Sequence, residues 1–351
     1  MPQFQERYPL FLAGAEAPAK VNLFLKVKGL LPQGKHELFS LMTKVKLFDT
    51  IEVYFLPDKE NGASLDPSQG PIDPQKKPNS YKLPLASGDM LSSSLELCQL
   101  PDAQYLGENN LAIRALAAYR KVTGYPARPV LVNIIKRIPI SAGLGGGSSD
   151  AGTMLWQLNN SSPNALSLKE LNKIALDLGA DVPFFLKPHS AAYCRGVGEL
   201  IVPYVDKSPY FFVLLVNPGV SLDTARVFYE FELTKKAAGN SLTLEANSFE
   251  NVSPIDPPLP AWGENDLWGA SKKLCPVLEK IFKLLSSLAP GPCGLSGSGA
   301  TLWGLFEDYS SAQRAQEALL AQAGKNGFGE DKNSGAKLWT EVTSLFPPEG
   351  N

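Results

Sequence analysis

The chain is short of the residues on which metal and nucleophile chemistry most often rests. Its 351 residues include two histidines, His36 and His189, and four cysteines. Two imidazoles so far apart in sequence exclude a histidine-rich metal centre and argue against a Ser-His triad. Cys98, Cys194, Cys275 and Cys293 have no C-x-x-C spacing, so reduced thiols are expected rather than disulfides or zinc ligands. Basic residues number 33 and acidic residues 35, for a net charge of −2. The basic footprint that nucleic acid demands is therefore missing, and no nucleic-acid partner is expected. The longest apolar run, residues 210–216, falls far short of the roughly 20 residues that cross a bilayer. Residues 8–13, behind Glu6 and Arg7, lack a signal-peptide core. No membrane partner and a cytoplasmic location follow as expectations.

Phosphate-binding signatures of the common kinds are also missing. The Gly-Lys pairs Gly34-Lys35 and Gly324-Lys325 are followed by His36 and Asn326, so no G-x-x-x-x-G-K-[ST] occurs. Counting from Gly143 or Gly145, the third glycine of a dinucleotide fingerprint would fall on Ser148 or Asp150. Neither H-R-D nor D-F-G of the protein-kinase type is found.

What is there is the run PISAGLGGGSSDAG, residues 139–152. It lies between a β-branched apolar stretch, 129–138, and a segment with Met154, Leu155 and Leu158 at helical spacing. Gly143, Gly145, Gly146 and Gly147 have no Cβ, so the backbone can turn left-handed and approach a ligand closely. The amides of Ser148 and Ser149 then open a helix whose unpaired N–H groups and partial positive charge suit anionic oxygens. A flexible Gly/Ser linker is the competing reading, but a strand joined directly to a helix seldom needs so many glycines.

The pattern P-x-x-x-G-L-G-G-G-S-S resembles the second motif of the small-molecule kinases named for galactose, homoserine, mevalonate and phosphomevalonate. That family also has a lysine-bearing strand near the N-terminus and a second glycine loop near the C-terminus. AEAPAKVNLFLKVKG, residues 15–29, and GLSGSGATLWGLF, residues 294–306, stand in those places. IALDLGADVPFFL (174–186), GVGELI (196–201), GKHELFSLM (34–42) and DTIEV (49–53) narrow the resemblance to members that phosphorylate a cytidyl diphosphate of methylerythritol. The similarity covers roughly residues 18–55, 108–231 and 265–308.

The resemblance implies an α+β, two-domain small-molecule kinase fold. A ribosomal-protein-S5-like ATP-binding domain would span residues 1–204, with a probable insertion at 57–105. A C-terminal α/β sandwich domain would span 205–351, with the boundary near 204–208. Length and a hydrophobic content of 44% are compatible with two domains.

Hydrophobic periodicity predicts a strand over 19–28 with Ala19, Val21, Leu23, Leu25 and Val27 on its core face. It predicts helices over 108–122 and 168–178, the latter opened by a Ser167–Glu170 capping box and ended by Gly179. A strand over 210–216, a helix over 272–288, a strand over 301–306 and a helix over 311–323 complete the pattern. Residues 57–84, 235–260 and 324–335 are turn-prone and are expected to be loops.

Pattern alone puts Lys20 and Asn22 on a solvated strand face. The resemblance instead makes Lys20 catalytic, beside the acceptor hydroxyl, with Asn22 lining the same site. Asp181, in Gly179-Ala180-Asp181-Val182-Pro183, would be a turn former by preference. Pro183 is expected to keep Val182 extended at the entry of an apolar strand. The resemblance makes Asp181 the base.

ATP, with Mg²⁺, is the implied cosubstrate. It is held by Pro139, Gly143, Leu144, Gly145, Gly146, Gly147, Ser148 and Ser149, with Asn110, Leu111 and Lys136 near adenine. A helix start and a strand-end cation explain Asn110, Leu111 and Lys136 equally well. Metal ligands are not assigned, although Ser149 and Asp150 are close enough in sequence to serve, as helix-capping roles would also explain. Acceptor recognition is implied for Asn22, Lys35, His36, Val197, Phe228, Gly297 and Ser298.

At Lys35 the chain departs from the pattern, which carries an aromatic there for stacking on cytosine. A weaker preference for the cytidyl acceptor is expected, because a π contact is lost. The alternatives are a sister kinase acting on another small alcohol and a non-catalytic nucleotide-binding protein. A monomer or weak homodimer is expected.

Overall fold

The computed structural model describes residues 10–31, 34–56, 80–85, 90–95, 107–186, 188–205, 209–237, 260–325 and 337–346. The chain divides into two compact units, each discontinuous in sequence: residues 1–18, 47–140 and 146–187 form the first, and 19–46, 141–145 and 188–351 the second. Two long strands, β1 (Leu10–Leu30) and β2 (His36–Phe55), contribute residues to both.

In the first unit, the later half of β2 pairs antiparallel with β5 (Val130–Lys136), Thr50 opposite Ile135 and Phe55 opposite Val130. On the far side of β5, strand β4 (Met90–Leu95) runs parallel to it, and β3 (Ser80–Pro84) pairs antiparallel with β4. Four helices belong to this unit: α1 (Leu111–Thr123), α2 (Gly146–Ser161), α3 (Leu168–Leu178) and α4 (Val182–Phe185). The sheet supplies Ile51, Val53, Val132 and Ile134 to the core, and the helices Leu116, Tyr119, Met154, Leu155 and Leu171. Fully burying such a Leu or Met side chain contributes roughly 1.5–3 kcal/mol.

Helix ends follow local chemistry. Asn110 Oδ1 accepts from the Ala112 amide to open α1, and Gly124, at φ 73°, closes it. The capping box at Ser167 and Glu170 forms as the sequence predicts.

In the second unit, residues 38–43 of β2 pair antiparallel with β6 (Ala191–Gly196), which pairs with β7 (Leu200–Tyr204). A separate antiparallel sheet has the order β11 (Trp339–Ser344), β8 (Phe212–Asn217), β10 (Leu302–Phe306), β9 (Cys293–Leu295). Helices α5 (Thr224–Ala237), α6 (Trp268–Leu274), α7 (Val277–Leu288) and α8 (Tyr309–Lys325) complete the unit. Its core joins Leu214, Val216, Leu302 and Phe306 to Leu278, Ile281, Leu285 and Leu319.

Several expectations need correction. The helix expected over 272–288 is two helices, α6 and α7, interrupted at Cys275-Pro276. Proline has no N–H to give to the preceding turn, and its ring collides with the carbonyl four residues back. The polar face of β1 is not solvated in its middle stretch: Lys20, Asn22 and Phe24 are buried like Val21 and Leu23, whereas Lys28 is exposed. Residues 80–84, expected as loop, form β3, and the rest of the turn-prone stretch, 57–79, lies outside the described residues. Of the expected 57–105 insertion, only 80–85 and 90–95 are described. The loops expected over 235–260 and 324–335 are helical over 235–237 and 324–325, and residues 238–259 and 326–336 lie outside the described residues. Cys98 also lies outside them, while Cys194, Cys275 and Cys293 are free thiols. Among the described residues no helix is long and apolar enough to cross a membrane.

Candidate functional site

Residues 139–145 leave β5 and deliver the chain into α2. Ser141, Gly143 and Gly145 all take positive φ, at 52°, 79° and 71°. Gly143 has a second reason to be glycine. A Cβ there would overlap the Ser296 carbonyl oxygen and lie 2.9 Å from that of Gly299. Its own carbonyl accepts from Ser296 Oγ at 2.8 Å, and the Ala142 carbonyl accepts from the Thr301 amide at 3.1 Å. Leu144 is buried, its carbonyl taking the Lys20 amide at 2.9 Å. The glycine loop of residues 294–300 thus braces residues 142–144 through the backbone.

Helix α2 starts at Gly146, two residues before the serines, and Gly147 is exposed. A Cβ on Gly146 would sit 3.0 Å from Ile138 Cγ2, so the helix start lies hard against the residue that follows β5. The first amides of α2, from Gly146 to Ser148, have no carbonyl a turn earlier to bond and point out of the helix end. Amides so placed suit anionic oxygens.

Lys20 is 3% exposed and Asn22 is 2% exposed, so both are held rather than solvated. Lys20 Nζ donates to Asn22 Oδ1 at 2.6 Å, and Asn22 Nδ2 donates to Ser40 Oγ at 2.7 Å. The position a Gly297 Cβ would occupy is 3.4 Å from Lys20 Nζ, so Gly297 leaves the ammonium room. Asn265 Nδ2 holds the carbonyls of Leu295 and Gly297, at 2.9 and 2.8 Å. Ser298 is buried with its hydroxyl 3.0 Å from Thr224 Oγ1, a partner the sequence reading did not single out.

Asp181 lies in the first unit. It precedes α4 at φ −84° and ψ −14°, makes no cap with its side chain, and is followed by a helical Val182. The expected extended Val182 and apolar strand are therefore corrected. Pro183 stands in the first helical turn, where its missing N–H costs nothing, and the four residues of α4 are buried. Gly152 of α2 allows this burial, since a Cβ there would come within 2.8 Å of Phe185 Cβ.

Lys136 ends β5 beneath the start of α2, 8% exposed, with its ammonium between two carboxylates. Nζ donates to Asp49 Oδ2, and to Asp150 Oδ2 at 2.7 Å. Asp49 Oδ1 accepts from the amides of Arg137 and Ile138, at 2.6 and 2.9 Å. Burial alone would lower the Lys136 pKa, but Asp150 and Asp49 outweigh it and raise it above the ordinary lysine value. Burial, with the neighbouring Asp49 charge, pushes the Asp150 carboxyl up against the pull of Lys136. Asp49 had no role in the sequence reading. Its signal was a fully buried acid in the strand segment LFDTIEV, which a buried cation explains.

His36 opens β2, and its ring lies on that of Phe228 with centroids 4.6 Å apart and planes 26° apart. His36 Nε2 is 3.1 Å from Glu232 Oε1, one turn of α5 beyond Phe228. Burial lowers the His36 pKa, and Glu232 partly opposes it. Lys35 is exposed, and Val197 lies in the β6–β7 turn with its amide donating to Glu199 Oε2 at 2.7 Å.

Ser149 Oγ and Asp150 Oδ1 are buried oxygens without a hydrogen-bond partner among the described residues. The Ser149 hydroxyl, a hard oxygen donor at the start of α2, fits Mg²⁺, an ion that keeps waters and phosphate oxygens as its other ligands, whereas the Asp150 carboxylate is engaged by Lys136. Among the described residues no group of three or more His, Cys, Asp or Glu could hold a metal unaided.

The model of the GHMP kinases N terminal domain matches residues 110–188, and that of the GHMP kinases C terminal matches 260–326. A 4-diphosphocytidyl-2-C-methyl-D-erythritol kinase of Desulfotalea psychrophila is 35% identical over 312 residues, 89% of this chain and 91% of the relative. The enzyme of the same name from Syntrophotalea carbinolica is 31% identical over 89% of this chain and 96% of its own. A crystal structure of 4-(cytidine 5'-diphospho)-2C-methyl-D-erythritol kinase superposes with TM-score 0.60 and 28% identity, covering 94% of this chain and 99% of the other. Homoserine kinase from Cytophaga hutchinsonii has the same fold, with TM-score 0.54, 13% identity and 96% of each chain covered.

Proposed function

This chain belongs to the 4-diphosphocytidyl-2-C-methyl-D-erythritol kinase family, within the GHMP kinases, and from that membership we propose that it phosphorylates the 2-hydroxyl of 4-diphosphocytidyl-2-C-methyl-D-erythritol with ATP. The step belongs to non-mevalonate isoprenoid precursor biosynthesis, in the cytoplasm. The observation that carries the reading is the left-handed glycine turn that opens α2 with its amides free for phosphate oxygens.

In this reading the residues 143–149 hold the ATP phosphates, with Pro139 setting the entry to the turn and Asn110 and Leu111 near adenine. Asp181 takes the proton of the acceptor hydroxyl as the bond to phosphorus forms. Lys20, oriented by Asn22, stabilises the charge that develops on the transferred group. Phosphoryl transfer asks mainly for position and electrostatics, which a rigid buried lysine supplies. The Ser149 hydroxyl would contribute to holding Mg²⁺, which would supply charge neutralisation on the phosphates. His36, Phe228, Val197 and Lys35 receive the cytidyl end, and Gly297 and Ser298 the middle of the acceptor. The functional division falls near residues 204–208, in the interval between the two family-model matches. The enzyme acts as a monomer or weak homodimer.

Lys35 favours one competitor, a sister kinase for a smaller alcohol. ATP consumption with the cytidyl compound, homoserine and mevalonate, in wild type and in Asp181→Asn, separates the two. Turnover with the cytidyl compound alone, lost in the variant, supports the reading. Preference for either smaller alcohol overturns it.

A further inference from the structure

Asp49 and Lys136 connect three points of the first unit that the phosphate seat depends on. One oxygen of Asp49 holds the amides of Arg137 and Ile138, where the chain leaves β5. The other takes the Lys136 ammonium, which reaches on to Asp150 in α2. A Cβ on Gly146 would lie 3.4 Å from Asp49 Oδ2, so the same carboxylate also sits beneath the first residue of that helix. Residues 139–145 make a left-handed detour between Ile138 and Gly146, and the ends of that detour are joined by one buried ion cluster.

We propose that Asp49, Lys136 and Asp150 form a buried clamp that fixes the N-terminus of α2 against the end of β5, so that Lys136 and Asp150 are positioning residues for triphosphate binding. The proposal deepens the kinase reading and rests on its assignment of the phosphates to this helix end. Three features support it. The ammonium is enclosed and has a carboxylate on either side, which leaves it poorly placed to reach a ligand. A charge-assisted contact in a low-dielectric interior holds its geometry more strictly than one in water. The seat also gains from being preset, since amides that must be ordered on binding cost affinity.

A positioning role and direct contact with the nucleobase differ in what they recognise. The clamp acts on the phosphate seat alone, so it should treat AMP-PNP and inorganic tripolyphosphate alike. Calorimetric titration of the full chain with each, in the presence of Mg²⁺, reads this directly. Asp150→Asn keeps the side-chain size and removes the charge. It is expected to weaken both ligands by the same factor, about tenfold, while the acceptor KM holds. Lys136→Met is expected to do the same, and the double variant to be no weaker than the stronger single, because both cut one link.

A loss confined to AMP-PNP means that Lys136 contacts the base and overturns the clamp. Unchanged affinity for both ligands in Asp150→Asn overturns it too. Lys136→Met leaves two buried carboxylates facing each other. Should it not fold, Asp150→Asn decides the matter alone. If wild type bound tripolyphosphate as the clamp requires but phosphorylated no alcohol, the kinase reading would fail and the clamp would stand. If wild type bound neither anion, both would fall.

Discussion

The His36 ring rests on the Phe228 ring, 4.6 Å between centroids. A histidine at the start of a strand and an aromatic on a helix some 190 residues later have no sequence signature as a pair. Only the fold joins them, and it does so where an acceptor's base is proposed to lie. Phe228 should therefore carry most of the aromatic contact, with Lys35 contributing only its alkyl stem.

Phe228→Leu is expected to raise the KM for the cytidyl acceptor by about 2- to 12-fold, the equivalent of the 0.5–1.5 kcal/mol an aromatic pair is worth. Lys35→Tyr is expected to lower it, by restoring a ring. Steady-state kinetics at saturating ATP measures both, and an unchanged or higher KM in Lys35→Tyr refutes the idea of a lost stack.

The same pair makes a pH prediction. The His36 pKa lies below its ordinary 6.5, through burial that Glu232 only partly opposes. A group whose folded pKa is depressed contributes stability above its unfolded pKa and loses it as pH falls through the folded value. His36 should be more than half neutral at pH 6.5 and withdraw stability as pH falls below that. NMR titration of the two histidine signals, assigned with His36→Gln, should show a midpoint under 6.5. Glu232→Gln should move it lower still, and a midpoint above 6.5 would contradict the account.

Asp181→Asn is expected to lower kcat by about 10²- to 10⁴-fold, the usual contribution of a positioned base. Affinity for the ATP analogue should hardly change, since the carboxylate is proposed to meet the acceptor and not the nucleotide. Turnover that stayed at the wild-type level would remove Asp181 from the mechanism.

Gly143→Ala puts a Cβ into the Ser296 and Gly299 carbonyls at a φ of 79°. The left-handed strain alone costs of order 1–3 kcal/mol, and the backbone overlap adds to it. The melting temperature should fall and AMP-PNP binding weaken together. A variant as stable as wild type would mean that the two glycine loops do not brace each other.

How much of this was legible beforehand depends on the range of the forces involved. The Ser167–Glu170 capping box, α1, β10 and the glycine turn are set within a few residues, and each was readable. The break at Pro276 was local too, yet the helical spacing on either side of it ran on in phase. The burial of Lys20 was not readable from alternation, because residues 19–25 of β1 are buried on both faces. Nor was the short helix α4, which exists because Phe184 and Phe185 are buried and Gly152 yields them space. The Asp49–Lys136–Asp150 cluster spans two strands and a helix, and no local pattern joins its three members. The sequence singles out Lys136 and Asp150 separately, but neither Asp49 nor the pairing of the three.

The most direct measurement is a crystal structure of the chain with AMP-PNP, Mg²⁺ and the cytidyl acceptor bound. The account predicts the phosphates on the amides of residues 143–149 and the acceptor 2-hydroxyl within hydrogen-bond reach of the Asp181 carboxylate. A triphosphate held elsewhere, or an Asp181 side chain turned away from the acceptor, would contradict it.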